Sequence, residues 1–247
     1  MAGLLPIVAG GPGDQFGNTS SAGGPQGHPL GSVMVFADGR RFRYGRAGAT
    51  ALLTGQLCQQ TLNDANFDEL VVPTARAIGD KQITLTLGAT ATTVDQFADG
   101  YLNVEDDAGE GYLYTIRSNN AAATSGTVTI DLYETLQVAW TTSTTVGIFA
   151  NPYGLVLVHP SPATAMLVGV TPRAFPLSTY GWFQSWGPCS VEIEGTVVIN
   201  ERVIDSASAD GAVAPTGSTA AGEENYVGVV MEVAATTEQG IIWLKIA

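Results

Sequence analysis

The chain is poor in charge, in histidine, in cysteine and in helical periodicity, and each scarcity removes a class of function. Charged residues are 13% of its 247 residues, against about a quarter in an average soluble domain. Only His28 and His159 are present, with Cys58 and Cys189 far apart and no CxxC spacing, which argues against a zinc site. The two cysteines read as separate, reduced, buried thiols. His159 and Ser161 lie close together in VLVHPSP, but no orienting acid adjoins them and no GxSxG elbow occurs anywhere, so a serine nucleophile is not indicated. The glycine-rich stretch at 10–17 has no Walker lysine and no strand before it, so it is not a phosphate loop. The apolar run LLPIVA near the start is too short for a signal core and lacks a basic flank, and no stretch is long enough to span a membrane. The sequence therefore predicts a non-enzymatic protein without cofactor, metal or membrane partner, assembled in the cytoplasm where it is made.

Basic residues are also few: 10 Lys and Arg face 23 Asp and Glu, for a net charge of −13. Such a chain repels phosphate, which disfavours direct nucleic-acid binding. The exception is local. Arg40, Arg41, Arg43 and Arg46 fall within seven residues and form the sequence's one basic patch, a candidate contact for an acidic partner surface.

Apolar residues, at 45%, are plentiful enough for a core, and their period is two. Ile83, Leu85 and Leu87 alternate with threonines; Val128, Ile130 and Leu132 alternate with Thr127, Thr129 and Asp131. Val191 and Ile193 alternate with glutamates, and Ile242, Leu244 and Ile246 with Trp243 and Lys245. Each pattern is a strand with one buried face. Asp-Gly and Gly-rich breaks at 38–39, 99–100, 109–111 and 210–211 separate them as turns. The best helical candidate is short, TLNDANFDEL at 61–70, where Leu62, Phe67 and Leu70 share a face. The expected fold is all-β: a small barrel or sandwich with an inserted second β module and an extended N-terminal arm. Residues 32–77 and 151–247 are expected to form the barrel-like body and 78–150 the insertion.

Residues 10–31 contain eight glycines and three prolines, too little apolar surface to fold alone. Residues 1–31 thus read as a flexible arm, with Leu4, Leu5, Ile7 and Val8 as an apolar plug for a neighbouring chain. Trp182, Phe183 and Trp186 in GWFQSWGPCS form the most distinctive aromatic group, expected in a core or subunit interface, with stacking on sugar as the lesser alternative. Glu105, Asp106, Asp107 and Glu110 form the densest acidic group. Their spacing lacks the alternating ligands of a calcium loop and reads as a solvated hairpin turn.

DGRRFRYGRAGATALLTGQLCQ (38–59) resembles the start of small phage head proteins, with a short strand, a Gly-Arg-Ala-Gly turn and a LLxGQL stretch. GTVVINERVIDSASADGAVAP (195–215), followed by NYVGVVMEVAATTEQGIIWLKI (225–246), resembles the final hairpin of tailed-phage capsid decoration (cement) proteins. That resemblance implies a β-tulip-like body, often trimeric, that binds the major capsid protein on the outer surface of the head and stabilises contacts between capsomers. The expected location is the virion. The alternative is a tail or head-fibre component that binds host glycan.

Overall fold

The period-two segments are strands in the computed structural model, which describes residues 7–17, 24–217 and 225–246. The chain is all-β, with short 3₁₀ turns as the only helical segments among the described residues. It divides into two compact units. Residues Asn63–Asn151 form one, here called the barrel, and the described residues from Ile7 to Leu62 and from Pro152 onward form the other, here called the body.

The body begins with β1 (Ile7–Gly10), β2 (Val33–Phe36), β3 (Arg41–Arg46) and β4 (Leu57–Gln59). The barrel follows, with β5 (Leu70–Val71), β6 (Gln82–Thr86), β7 (Tyr101–Asp106), β8 (Leu113–Asn119), β9 (Thr127–Leu132) and β10 (Thr145–Phe149). The body resumes with β11 (Leu157–Val158), β12 (Leu167–Val170), β13 (Tyr180–Glu192), β14 (Arg202–Asp205), β15 (Val213–Pro215), β16 (Tyr226–Val230) and β17 (Gln239–Lys245).

The six barrel strands close in the order β10-β5-β6-β9-β8-β7, all antiparallel. Closure leaves no unpaired sheet edge. Alternation aims Ile83 and Leu85, Leu102 and Val104, Val128 and Ile130, and Val146 and Ile148 into one core. This corrects two expectations. The closed barrel is the inserted module, whereas the flanks form an eleven-stranded sheet. The insertion also begins at Asn63 rather than residue 78, because β5 pairs with β6 and β10 and Phe67, Leu70 and Val72 fill the barrel core. The helix expected at 61–70 is a single 3₁₀ turn, Ala65–Phe67, capped by the Asp64 side chain on the Asn66 N–H. Glu69 takes a positive φ of 51°, which ends any helical path and turns Leu70 into β5.

The body sheet runs β1-β2-β3-β13-β17-β16-β14-β15, with β4, β11 and β12 attached through β12 to β13. Its spine is β13, thirteen residues long. The first half of β13 pairs with β3 and the second half with β17. Gly181 to Ser185 are all buried, so alternation is lost where both faces are covered. A bulge interrupts its pairing with β3, since Gln184 faces Phe42 and Trp186 faces Arg41. The extra residue, Ser185, exchanges the two faces of the strand beyond that point.

The described parts of the expected arm lie against the body. Ile7–Gly10 adds to β2 in parallel. The His28 ring meets Tyr44 edge-on at 5.1 Å and Trp182 at 5.3 Å. The Gly27 N–H donates to the Tyr44 hydroxyl at 3.1 Å, and Leu30 is buried. Glycine permits the turns of this segment, and the aromatic wall supplies the contacts that a random tail lacks. Leu4 and Leu5 lie outside the described residues.

Leu102 is fully buried in the barrel and Leu113 is 61% exposed on it. Leu102→Ala is expected to destabilise the barrel by about 2–5 kcal/mol, and Leu113→Ala by no more than about 0.5 kcal/mol. Hydrogen exchange of β7 and β10 peptides measures both, and equal effects would contradict the inward and outward assignment.

Candidate functional site

The arginine cluster is held by local chemistry. Arg40 pairs with Asp38 at 2.7 Å and lies over the Phe36 ring at 4.7 Å. Arg41 lies 5.7 Å from the Trp186 ring and is exposed. Arg43 donates to the Gly31 carbonyl at 3.2 Å, and Arg46 sits over Tyr180 at 5.7 Å. Only Arg41 of the four is exposed; the others are half-buried. Four adjacent arginines in sequence are therefore not one basic patch in space. Strand alternation sends Arg41 and Arg43 to one face and Arg46 to the other, and aromatic rings receive the guanidinium groups of Arg40, Arg41 and Arg46.

The aromatic group divides in the same way. Trp182 is 4% exposed in a cluster with Met34, Phe36, Phe42 and Tyr44. Phe183 is fully buried in another, stacked on Phe175 with ring centroids 4.8 Å apart. Both rings are therefore core, the first of the two places expected for them, and neither is available to a partner or to sugar, the lesser alternative. Trp186, beyond the bulge, is half-exposed. Of the expected plug, Ile7 is 77% exposed and Val8 packs partly against the Trp182 cluster.

What the register brings together is a different set. Arg41, Trp186 and Lys245 lie directly opposite one another across β3, β13 and β17. The next row is Pro188, Trp243, Val229 and Arg202, across β13, β17, β16 and β14. A third pairs Ser190 with Ile241. All are half-exposed or exposed, and directly opposed residues share a face. Tyr226 adjoins them, its ring centre 6.0 Å from both the Arg202 guanidinium and the Lys245 ammonium. None of the three rows contains a carboxylate; the first, Glu192, appears opposite Gln239 in the row beyond. Sequence alternation already separates Trp243 and Lys245 from Ile242 and Leu244. Only the register shows that they join Trp186, Arg41 and Arg202.

The acidic group of the barrel does not converge. Glu105 accepts the Glu69 N–H at 2.9 Å, Asp106 accepts the Asp107 N–H at 2.8 Å, and Asp107 accepts the Thr141 hydroxyl. Among the described residues, no three His, Cys, Asp or Glu side chains form a metal-binding group. Burial raises the Glu105 pKa above the ordinary carboxylate value, helped by a hydrogen bond and repulsion from Asp68 and opposed by the Glu69 N–H. The Asp107 pKa is held low by the Thr141 hydroxyl and the Ala108 N–H.

His159 is fully buried, with Nδ1 2.7 Å from the Pro160 carbonyl and Nε2 2.9 Å from the Ala212 carbonyl. The Ser161 hydroxyl donates instead to Asp210 at 2.7 Å, so histidine and serine have separate partners. A shallow cleft between the Asp14–Phe16 turn and β13 is lined by Gln15, Phe16, Arg40, Gln184 and Pro188. The Gln184 amide is occupied there by the carbonyls of Trp186 and Pro188, at 3.2 and 2.6 Å. Cys58 and Cys189 are free and buried, and burial pushes both thiol pKa values up. No family model matches the chain, and no curated protein or solved structure matches it either.

Because the Glu105 carboxyl holds its proton to higher pH in the folded chain, its contribution to stability is complete below the unfolded value and lost as pH rises through the folded one. Glu105→Gln is therefore expected to raise the melting temperature of the barrel at neutral pH and to leave it nearly unchanged in acid. A lowered melting temperature at neutral pH would contradict this. Neither cysteine is expected to react with Ellman's reagent until the chain is denatured, since the thiolate is the reactive form; rapid titration of either in native protein would show that it is accessible.

Proposed function

We propose that this protein is a structural component of a virus particle, a decoration or cement protein that binds the major capsid protein on the outer surface of a phage head. The observation that carries this reading is the C-terminal hairpin. The segment that resembles the final hairpin of capsid decoration proteins corresponds to β16 and β17, which pair antiparallel in the middle of the body sheet with Val227, Val230, Ile242 and Leu244 in its core. The terminal hairpin is thus an integral part of the body rather than an appendage.

The physical demands of such a role agree with the design of the chain. A cement protein must spread load through many weak, specific contacts. Two units, each with its own core, bear strain through backbone ladders rather than through a single bond. The net charge of −13 suits a surface away from packaged nucleic acid. Trimeric assembly belongs to the same proposal. A tail or head-fibre role that binds host glycan through the Trp182 and Trp186 region has less support, because Trp182 is core and only Trp186 is half-exposed.

Electron cryomicroscopy of purified particles tests the location: density of this shape at capsomer junctions is the expected result, and density confined to the tail would overturn the proposal. Particles depleted of the protein are also expected to release their genome at lower temperature than complete ones.

A further inference from the structure

We infer that the aromatic–cationic face of the body sheet is a self-association surface, which docks a second copy of this chain through that copy's acidic barrel. The inference goes beyond the particle reading and does not depend on it.

The face has the composition of an interface centre. Aromatic residues and arginine are over-represented where protein surfaces meet and where single residues dominate the binding energy. Trp186, Trp243 and Tyr226 stand here with Arg41, Arg202 and Lys245, in adjoining rows of four strands. Among the described residues none of the three cations has an ion-pair partner. Each lies beside a ring: Arg41 beside Trp186, and Arg202 and Lys245 beside Tyr226. Resting a cation along a ring limits its motion before binding, so less freedom is lost when a carboxylate arrives.

The geometry selects among occupants. A sugar or a nucleobase needs bare ring faces to stack on, yet guanidinium or ammonium groups border the rings of Trp186 and Tyr226. A flat protein surface with carboxylates fits better. Two copies meeting face to face through this patch would oppose cation to cation, which excludes a two-fold contact of the patch with itself. The complement lies elsewhere on the same chain. Residues 63–151 contain twelve acidic and three basic side chains, a net of −9, whereas the rest of the chain carries −4 and holds all three cations of this face. The contact therefore joins unlike surfaces, one copy's body face and another copy's barrel.

Sedimentation velocity of the full chain over a concentration series tests this, at low and high salt. Self-association that weakens at high salt is expected. The exposed double variant Arg202→Glu/Lys245→Glu is expected to weaken it at least about tenfold, with an unchanged near-ultraviolet dichroism spectrum as the control for folding. On the barrel, Asp106→Arg/Glu110→Arg is expected to weaken self-association as well. Mixing the two double variants should restore association, because the reversed body face of one meets the reversed barrel of the other. A monomer at every concentration would overturn the inference. So would association that strengthens with salt, or a monomer that instead binds heparin through this face with loss on Lys245→Glu.

Discussion

The body depends on one strand serving two sets of neighbours at once. The backbone of β13 must satisfy its hydrogen bonds with β3 and β12 along its first half and with β17 along its second, since an unpaired buried amide is costly. Pairing on both sides of the bulge at Ser185 gives that strand its thirteen residues. Its side chains enter separate clusters: Trp182 with Tyr44 and Phe42, Phe183 with Phe175 and Val156, and Val191 with Val203 and Leu244. The three body clusters are thereby tied to a single piece of backbone. Glycines at close approaches permit this. A Cβ at Gly181 would lie 2.2 Å from the Phe175 ring, and one at Gly228 would lie 2.3 Å from the Trp243 carbonyl.

The bulge at Ser185 sets what the surface presents. Without the bulge, Trp182, Gln184 and Trp186 would face the same way, as strict alternation requires. With it, Trp182 stays inside and Trp186 turns to the side shared by Arg41 and Lys245. One inserted residue thus separates a core tryptophan from a half-exposed one and begins the aromatic–cationic face. The barrel handles its surface differently. Closure pairs every strand, and its residues carry most of the chain's net negative charge.

Low overall charge makes the placement of each charge more telling. The arginines of 40–46 read in one dimension as a patch. In three dimensions they are distributed between faces and anchored on Phe36, Trp186, Tyr180 and the Gly31 carbonyl. The acidic run 105–110 is likewise a turn whose carboxylates bond to separate backbone and hydroxyl donors. In both cases proximity in sequence overstated proximity of the functional atoms, because neighbouring residues in a strand point apart and turn residues fan outward.

Much of the fold was legible in the amino-acid order. Alternation marked the strands at 82–86, 127–132 and 239–245 because a pleated strand with one wet face must repeat every two residues. Gly-rich breaks marked the turns because they require positive φ, as at Gly39, Gly109 and Gly111. The barrel's start at Asn63 was not legible, since β5 is only two residues long and shows no period. Composition and local pattern by themselves determined an all-β chain, a net acidic charge and a change of texture near residue 151. Tertiary structure alone decided which strands pair, that the inserted module closes, that Trp182 and Phe183 are core, and that Trp186, Trp243, Tyr226, Arg41, Arg202 and Lys245 meet. The physical reason is that these outcomes rest on pairing between segments far apart in the chain and on a one-residue bulge, and neither leaves a periodic trace in the local sequence.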